Sequence, residues 1–284
     1  MAAKQEIEKK WESLTIQNNF VFGKVMESNP DLCRRLLEKI LKVRIKEISY
    51  PEREKTIEMR SDSKGIRIDV YVEDKNKNRS FDIEMQVANN DVLEDRMRYY
   101  QDLIDMDKLQ KGTKKYRKLG ETYIIFICPF DYLKDKRNIY TIRERCEENP
   151  ELKWRNKVTK IVLNAMGEKD DVSADVKAFL DYVAGHQVNN QFVEELDETV
   201  RQVKTSEKWR LEYVTYELAL QEREEQGEKR GRKEGRKEGL EEGRKEERLN
   251  SIRTIMETLN MTAEQAMNTL KIPIVEQKKY IALL

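Results

Sequence analysis

Two neighbouring stretches of the chain alternate strictly between apolar and polar residues. In Ile66-Arg67-Ile68-Asp69-Val70-Tyr71-Val72-Glu73, the residues Ile66, Ile68, Val70 and Val72 fall on one side, and Arg67, Asp69, Tyr71 and Glu73 on the other. In Ser80-Phe81-Asp82-Ile83-Glu84-Met85-Gln86-Val87, Asp82, Glu84 and Gln86 share the polar side. Period two predicts a β-strand in each, and the polar turn Asp74 to Asn78 predicts an antiparallel hairpin. Helical spacing precedes and follows the pair. Phe20, Phe22, Val25 and Met26 predict one helix, capped by Asn18 or Asn19. After a break at Asn29-Pro30, Leu32, Leu36, Leu37, Ile40 and Leu41 predict another. Leu93, Met97, Tyr100 and Ile104 form the apolar stripe of a helix over about 92–110. The almost wholly apolar run Thr122 to Cys128 suits a central strand covered on both faces. Ile139–Ile142 and Val158–Leu163 predict further short strands, and Ser173 caps a helix that carries Val176, Phe179, Leu180 and Val183. This order predicts an α/β fold, with a mixed sheet flanked by helices, over residues 1–200.

The pattern then changes. Residues 201–226 predict one long helix, with Trp209, Tyr213, Tyr216 and Leu220 as packing positions. Glycine follows at 227, 231, 235, 239 and 243, with Arg, Lys and Glu filling the gaps. Each glycine costs a helix about 1 kcal/mol against alanine. Oppositely charged pairs four residues apart return part of that. Residues 201–248 are therefore expected to be a charged helical extension, either a solvated linker or a helix whose glycine stripe admits a partner helix. Residues 249–284 predict a small helical unit, in which Thr262 caps one helix and Pro273 precedes the last.

Composition narrows the class. Apolar and charged residues each make up 38% of the 284 residues, more charge than a compact core needs, in keeping with a solvated extension. No apolar run is long enough to span a membrane. The first residues lack the apolar segment of a secretory signal. Cys33, Cys128 and Cys146 have no metal-binding spacing, so neither a disulfide framework nor a zinc site is expected, and a reducing cytoplasm fits. The one histidine, His186, cannot build a histidine metal site. A net charge of +1 neither favours nor excludes nucleic acid, and any basic patch must be local. One such cluster is Lys111, Lys114, Lys115, Arg117 and Lys118.

The candidate chemistry lies on the hairpin. If the two strands pair, Asp69, Glu84 and Gln86 present oxygen atoms on one side. Clustered carboxylates repel one another unless a cation lies between them. Oxygen donors without His or Cys favour Mg²⁺ or Mn²⁺. The same alternation also describes an ordinary solvent-facing sheet surface, so spacing alone leaves both readings open.

Longer matching stretches carry a resemblance. They are Asn19-Phe20-Val21-Phe22-Gly23-Lys24-Val25-Met26, Arg67 to Val72, Ile83-Glu84-Met85-Gln86, Arg98-Tyr99-Tyr100-Gln101, Phe126 to Phe130 and Lys177 to Tyr182, followed by the Glu/Lys/Gly-rich tail. The chain resembles the recombination-promoting nuclease / putative transposase family, within the PD-(D/E)XK nucleases. The resemblance implies a restriction-endonuclease-like core and a bacterial, Mg²⁺-dependent (or Mn²⁺-dependent) endonuclease acting on DNA. It also implies Asp69, Glu84 and Gln86 as catalytic residues, with Asp69, Glu84 and the main-chain carbonyl of Met85 as metal ligands. Glu38 is the candidate extra acid on the second helix. Arg98 and Gln101 are candidates for phosphate contact, while Tyr99 and Tyr100 read as packing groups. Two positions depart from the pattern. Gln86 stands where many such nucleases carry Lys, and Asn19 where many relatives carry Asp. Competing expectations are a weakly active or inactive DNA-binding protein on the same fold, a homo-oligomer formed through the C-terminal helices, and a nuclease acting on RNA in defence.

Overall fold

The computed structural model describes residues 2–50, 56–57, 66–89, 91–109 and 116–284. Three helices come first: α1 (Ala2–Ser13), α2 (Asn19–Ser28) and α3 (Pro30–Leu41). The short strands β1 (Thr56–Ile57) and β2 (Ile66–Arg67) pair only with each other. Then come β3 (Val70–Asp74), β4 (Arg79–Met85), α4 (Leu93–Lys108), β5 (Glu121–Cys128), β6 (Ile139–Ile142) and β7 (Val158–Asn164). The helices α5 (Ala174–Val183), α6 (Gln191–Thr205), α7 (Glu207–Leu259), α8 (Ala263–Thr269) and α9 (Ile274–Ile281) complete the chain. Two compact units result, Met1–Thr215 and Tyr216–Leu284.

The first unit is a five-stranded sheet in the order β3-β4-β5-β7-β6. β4, β5 and β7 run parallel, and β3 and β6 are antiparallel edges. The apolar run predicted as a central strand is β5, the middle of the sheet, with Ile124 to Cys128 fully buried. Its side chains alternate between the two faces. Ile124, Phe126 and Cys128 pack with Leu93, Met97, Tyr100, Leu103 and Ile104 of α4. On the other face α2 packs on β3 and β4, backed by α3, α5 and α6. The caps follow the sequence signals. Asn18 accepts from Val21 N–H, Asn29 from Leu32 N–H and Ser173 from Val176 N–H.

The strand expected over 66–73 is broken. Ile68 and Asp69 belong to no strand, and the pairing with β4 starts at Val70↔Ile83. The alternation changes phase at the break, since Ile68 packs in the α4 cluster together with Tyr71, while Val70 and Val72 do not. The helix expected over 201–226 also divides. α6 ends at Thr205, Ser206 is extended (φ −75°, ψ 116°), and α7 then runs unbroken for 53 residues through all five glycines. α1 was not anticipated, and its Ile7 and Trp11 are buried.

The second unit has its own small core. Ile252 of α7 packs with Ala266, Met267, Ile272 and Tyr280, and Thr262 opens α8 with a reciprocal cap to Gln265. No helix among the described residues is long and apolar enough to cross a membrane.

Candidate active site

Where β3 and β4 stop pairing, side chains take over from the backbone. The next opposed pair after Val70↔Ile83 would be Asp69 and Glu84. There the Asp69 N–H donates to Glu84 Oε1 at 2.9 Å, and the Met85 N–H donates to Asp69 Oδ2 at 3.0 Å. Carboxylates that bind nearby main-chain donors compete with the regular ladder, which explains the break at Asp69. The exchange also fixes the orientation of both acids. α2 closes against the same point, where a Cβ built on Gly23 would lie 3.0 Å from the Asp69 carbonyl oxygen.

Register sets which face the acids use. Asp82 lies opposite Tyr71 and beside Ile124, and Glu84 lies beside Phe126. Tyr71, Ile124 and Phe126 all belong to the α4 cluster, so these acids point under α4. Asp82 is fully buried, and its hydrogen-bonding neighbour is the Glu84 carboxyl. Burial, then the neighbouring Asp69, pushes its pKa well above the usual carboxylate range. Glu84 is also held well above its ordinary value, first by burial and then by Asp69 and Asp82.

A cleft of about 630 Å³ opens over these groups, lined among others by Asn18, Asn19, Asp69, Glu84, Gln86 and Arg96. Met85 and Tyr100 also line it. Arg96 donates to Gln86 Oε1 and, at 3.0 Å, to the Tyr100 hydroxyl, and one of its nitrogens lies 3.5 Å from Glu84 Oε2. The Gln86 amide N–H donates to the Ala88 carbonyl, so each end of that side chain has a partner. Asn19 accepts from Phe20 N–H at the start of α2.

Of the sequence-predicted residues, Asp69, Glu84, Met85 and Gln86 come together in the cleft; Glu38, Arg98 and Gln101 do not line it. Glu38 pairs with Arg34 and accepts from Ile45 N–H at 2.7 Å, tying α3 to the segment that follows it. Arg98 is exposed and pairs with Asp95, and Gln101 bonds Asp105. Physically, α4 turns its Leu93–Tyr100 face to the sheet and carries Arg98 to the solvent side. Arg96 and Asp82 are not among the expected site residues, and Tyr100 is expected only as a packing group. Arg96 lies three residues from Leu93 and four from Tyr100, which places it at the border of the buried stripe. Asp82 shares the alternation of Glu84 and Gln86, and that signal was legible. Of the basic cluster, Lys111, Lys114, Lys115 and the side chain of Arg117 lie outside the described residues, and Lys118 is exposed.

Among the described residues no three His, Cys, Asp or Glu side chains stand together as a ready metal cage. The donors present are the backbone-oriented carboxyl groups of Asp69 and Glu84, with Asp82 buried behind them. Hard oxygen donors of this kind fit a hard divalent cation that completes its shell with water, and such a cation would favour the ionised forms that burial opposes.

No curated protein and no solved structure matches the chain. Residues 17–152, which carry α2 to β6 and the acids of the cleft, match the family described as PD-(D/E)XK nuclease family transposase.

Proposed function

We propose that this chain is a Mg²⁺- or Mn²⁺-dependent endonuclease that hydrolyses phosphodiester bonds in DNA, in a transposase-like or recombination-promoting setting. PD-(D/E)XK nucleases generally use divalent metals, and the family points to DNA. The observation that carries the reading is the pair of bonds from Asp69 N–H to the Glu84 carboxylate and from Met85 N–H to the Asp69 carboxylate at the end of the β3–β4 pair, which orients two carboxylates that line an open cleft. Asp69 and Glu84 would hold the cation, with the Met85 carbonyl as a further oxygen donor. A cation bound there supplies Lewis acidity and offsets the negative charge that develops on the scissile phosphate. Gln86, whose amide cannot ionise, fixes orientation by hydrogen bonds.

The test uses Asp69→Asn and Glu84→Gln, which keep the shape of each side chain. Both variants are expected to lose Mg²⁺-dependent nicking of supercoiled plasmid DNA. The rise in melting temperature that Mn²⁺ gives the wild type is also expected to vanish. Undiminished nicking in both variants would remove the assignment. Parallel digestion of RNA decides whether the substrate is DNA alone.

A further inference from the structure

We propose that Arg96 is a further catalytic residue, whose guanidinium donates to the non-bridging oxygens of the scissile phosphate and supplies the positive charge that Gln86 cannot. The inference rests on the hydrolytic reading above.

Gln86 is neutral, and its carbonyl oxygen is committed to Arg96. The charge at that position of the cleft therefore belongs to α4 and not to β4. Arg96 and Tyr100 are four residues apart and share one face of α4. The guanidinium lies over the rings of Tyr100 and Phe126, 5.4 and 5.1 Å from their centroids, and donates to the Tyr100 hydroxyl. These contacts fix its plane.

A purely structural ion pair with Glu84 would look different. Charge-assisted pairs close to about 2.7–2.9 Å and are often bidentate. Here a single nitrogen stands 3.5 Å from Glu84 Oε2, and the closer partners, Gln86 and Tyr100, are uncharged. The guanidinium's closest partners are thus neutral groups, while Glu84 and Asp69 act on it by charge from farther away. Its side chain is 30% exposed and lines the cleft. Arginine carries five N–H donors in a planar fork that matches two phosphate oxygens. The contacts with Gln86, Tyr100 and Glu84 do not use all of them. During hydrolysis a water oxygen bonds to phosphorus while the ester P–O bond breaks. The attacking water gives up a proton and the leaving oxygen takes one up, while negative charge grows on the non-bridging oxygens that Arg96 would face.

The experiment compares plasmid cleavage by the wild type, Arg96→Ala, Arg96→Lys and the double variant Arg96→Ala/Gln86→Lys, all as the full chain. Arg96→Ala is expected to lower kcat by roughly 10²-fold or more, with a smaller change in KM, as for removal of a donor that acts on developing charge. Arg96→Lys is expected to fall between. In the double variant a lysine rising from β4 returns charge to the same place, and roughly tenfold of the lost kcat is expected back. Mn²⁺ affinity, measured by calorimetry, is expected to be unchanged or higher in Arg96→Ala, because a positive charge beside the carboxylates is gone. Weaker Mn²⁺ binding in step with lost activity would reduce Arg96 to a prop for Glu84 and overturn the proposal. So would a double variant no faster than Arg96→Ala. A wild type that cuts neither DNA nor RNA would sink the hydrolytic reading instead. Arg96 would then be judged by binding of a short DNA duplex in Ca²⁺, where roughly tenfold weaker binding by Arg96→Ala supports it and equal binding overturns it.

Discussion

Gly23 has no side chain, and the backbone of Asp69 uses the space. Inside a helix, Gly to Ala normally gains about 1 kcal/mol. Here the new methyl would meet the Asp69 carbonyl oxygen at 3.0 Å, so one of the two must move by a few tenths of an ångström. The gain in helix propensity and the repulsion should nearly cancel, leaving Gly23→Ala within about 1 kcal/mol of the wild type. Activity should suffer more, on the order of tenfold, because a carboxylate in the proposed metal-holding role tolerates little displacement. Urea unfolding and plasmid nicking on the same preparation separate the two effects, and full activity would show that Asp69 does not depend on this contact. Asp82 poses the opposite problem at the same scale. Its carboxyl is buried beside Tyr71, Ile124 and the Glu84 carboxyl, an arrangement a stable core avoids unless the charge is neutralised.

At the scale of elements, the start of α7 is fastened to α2 by Lys24. Its ammonium pairs with Glu212 and, at 3.3 Å, with Glu27, and it sits 4.7 Å from the Trp209 ring centroid and 5.3 Å from that of Phe20. Tyr213 of α7 packs its ring against Trp11 and Phe20, both centroids 5.3 Å away. The same α2 presents Asn19 to the cleft and Gly23 to Asp69, so this latch also steadies the site. The Lys24 side chain is 6% exposed and that of Glu212 36%. Removing Lys24 loses both ion pairs and both ring contacts at once, whereas removing Glu212 leaves Lys24 paired with Glu27. Lys24→Ala should therefore cost on the order of 3 kcal/mol, and Glu212→Ala less than about 1 kcal/mol. Equal losses in urea unfolding would contradict this asymmetry.

At the scale of the whole molecule, α7 joins the two compact units as one helix. From Gln221 to Arg248 every residue is exposed, and a Cβ built on any of the five glycines meets no atom within 4 Å. Apart from Arg248 at its end, which pairs with Glu276 of α9 at 2.7 Å, the ion pairs of that stretch among the described residues lie within the helix, such as Lys229–Glu225 at 3.3 Å. Exposed pairs of this kind contribute a few tenths of a kcal/mol each. Replacing Gly231, Gly235 and Gly239 by Ala should add about 1 kcal/mol of helix stability per site. Amide exchange over 221–248 should slow accordingly, while the unfolding of residues 1–215 stays as it was. Unchanged exchange would mean that the helix is already held by something other than its own backbone.

Local chemistry by itself determined much of this. Alternation of period two fixed the hairpin and put Asp82 and Glu84 on one side of β4, with Gln86 just past its end. Helical spacing fixed α2 to α5, and Asn29, Ser173 and Thr262 marked helix starts that the backbone then uses. These signals are readable because they depend on neighbours within a few residues. What only the tertiary structure decided depends on groups distant along the chain. Asp69 leaves its strand because Glu84 and Met85, fifteen and sixteen residues on, offer better partners than the ladder. Arg96 faces the cleft, and Arg98 does not, because α4 must lay Leu93, Met97 and Tyr100 on β5. Glu38 is drawn away by Arg34 and Ile45. Periodicity reports which residues share a side. Which side faces the acids is set by how the helix packs on the sheet, and that is a property of the whole core.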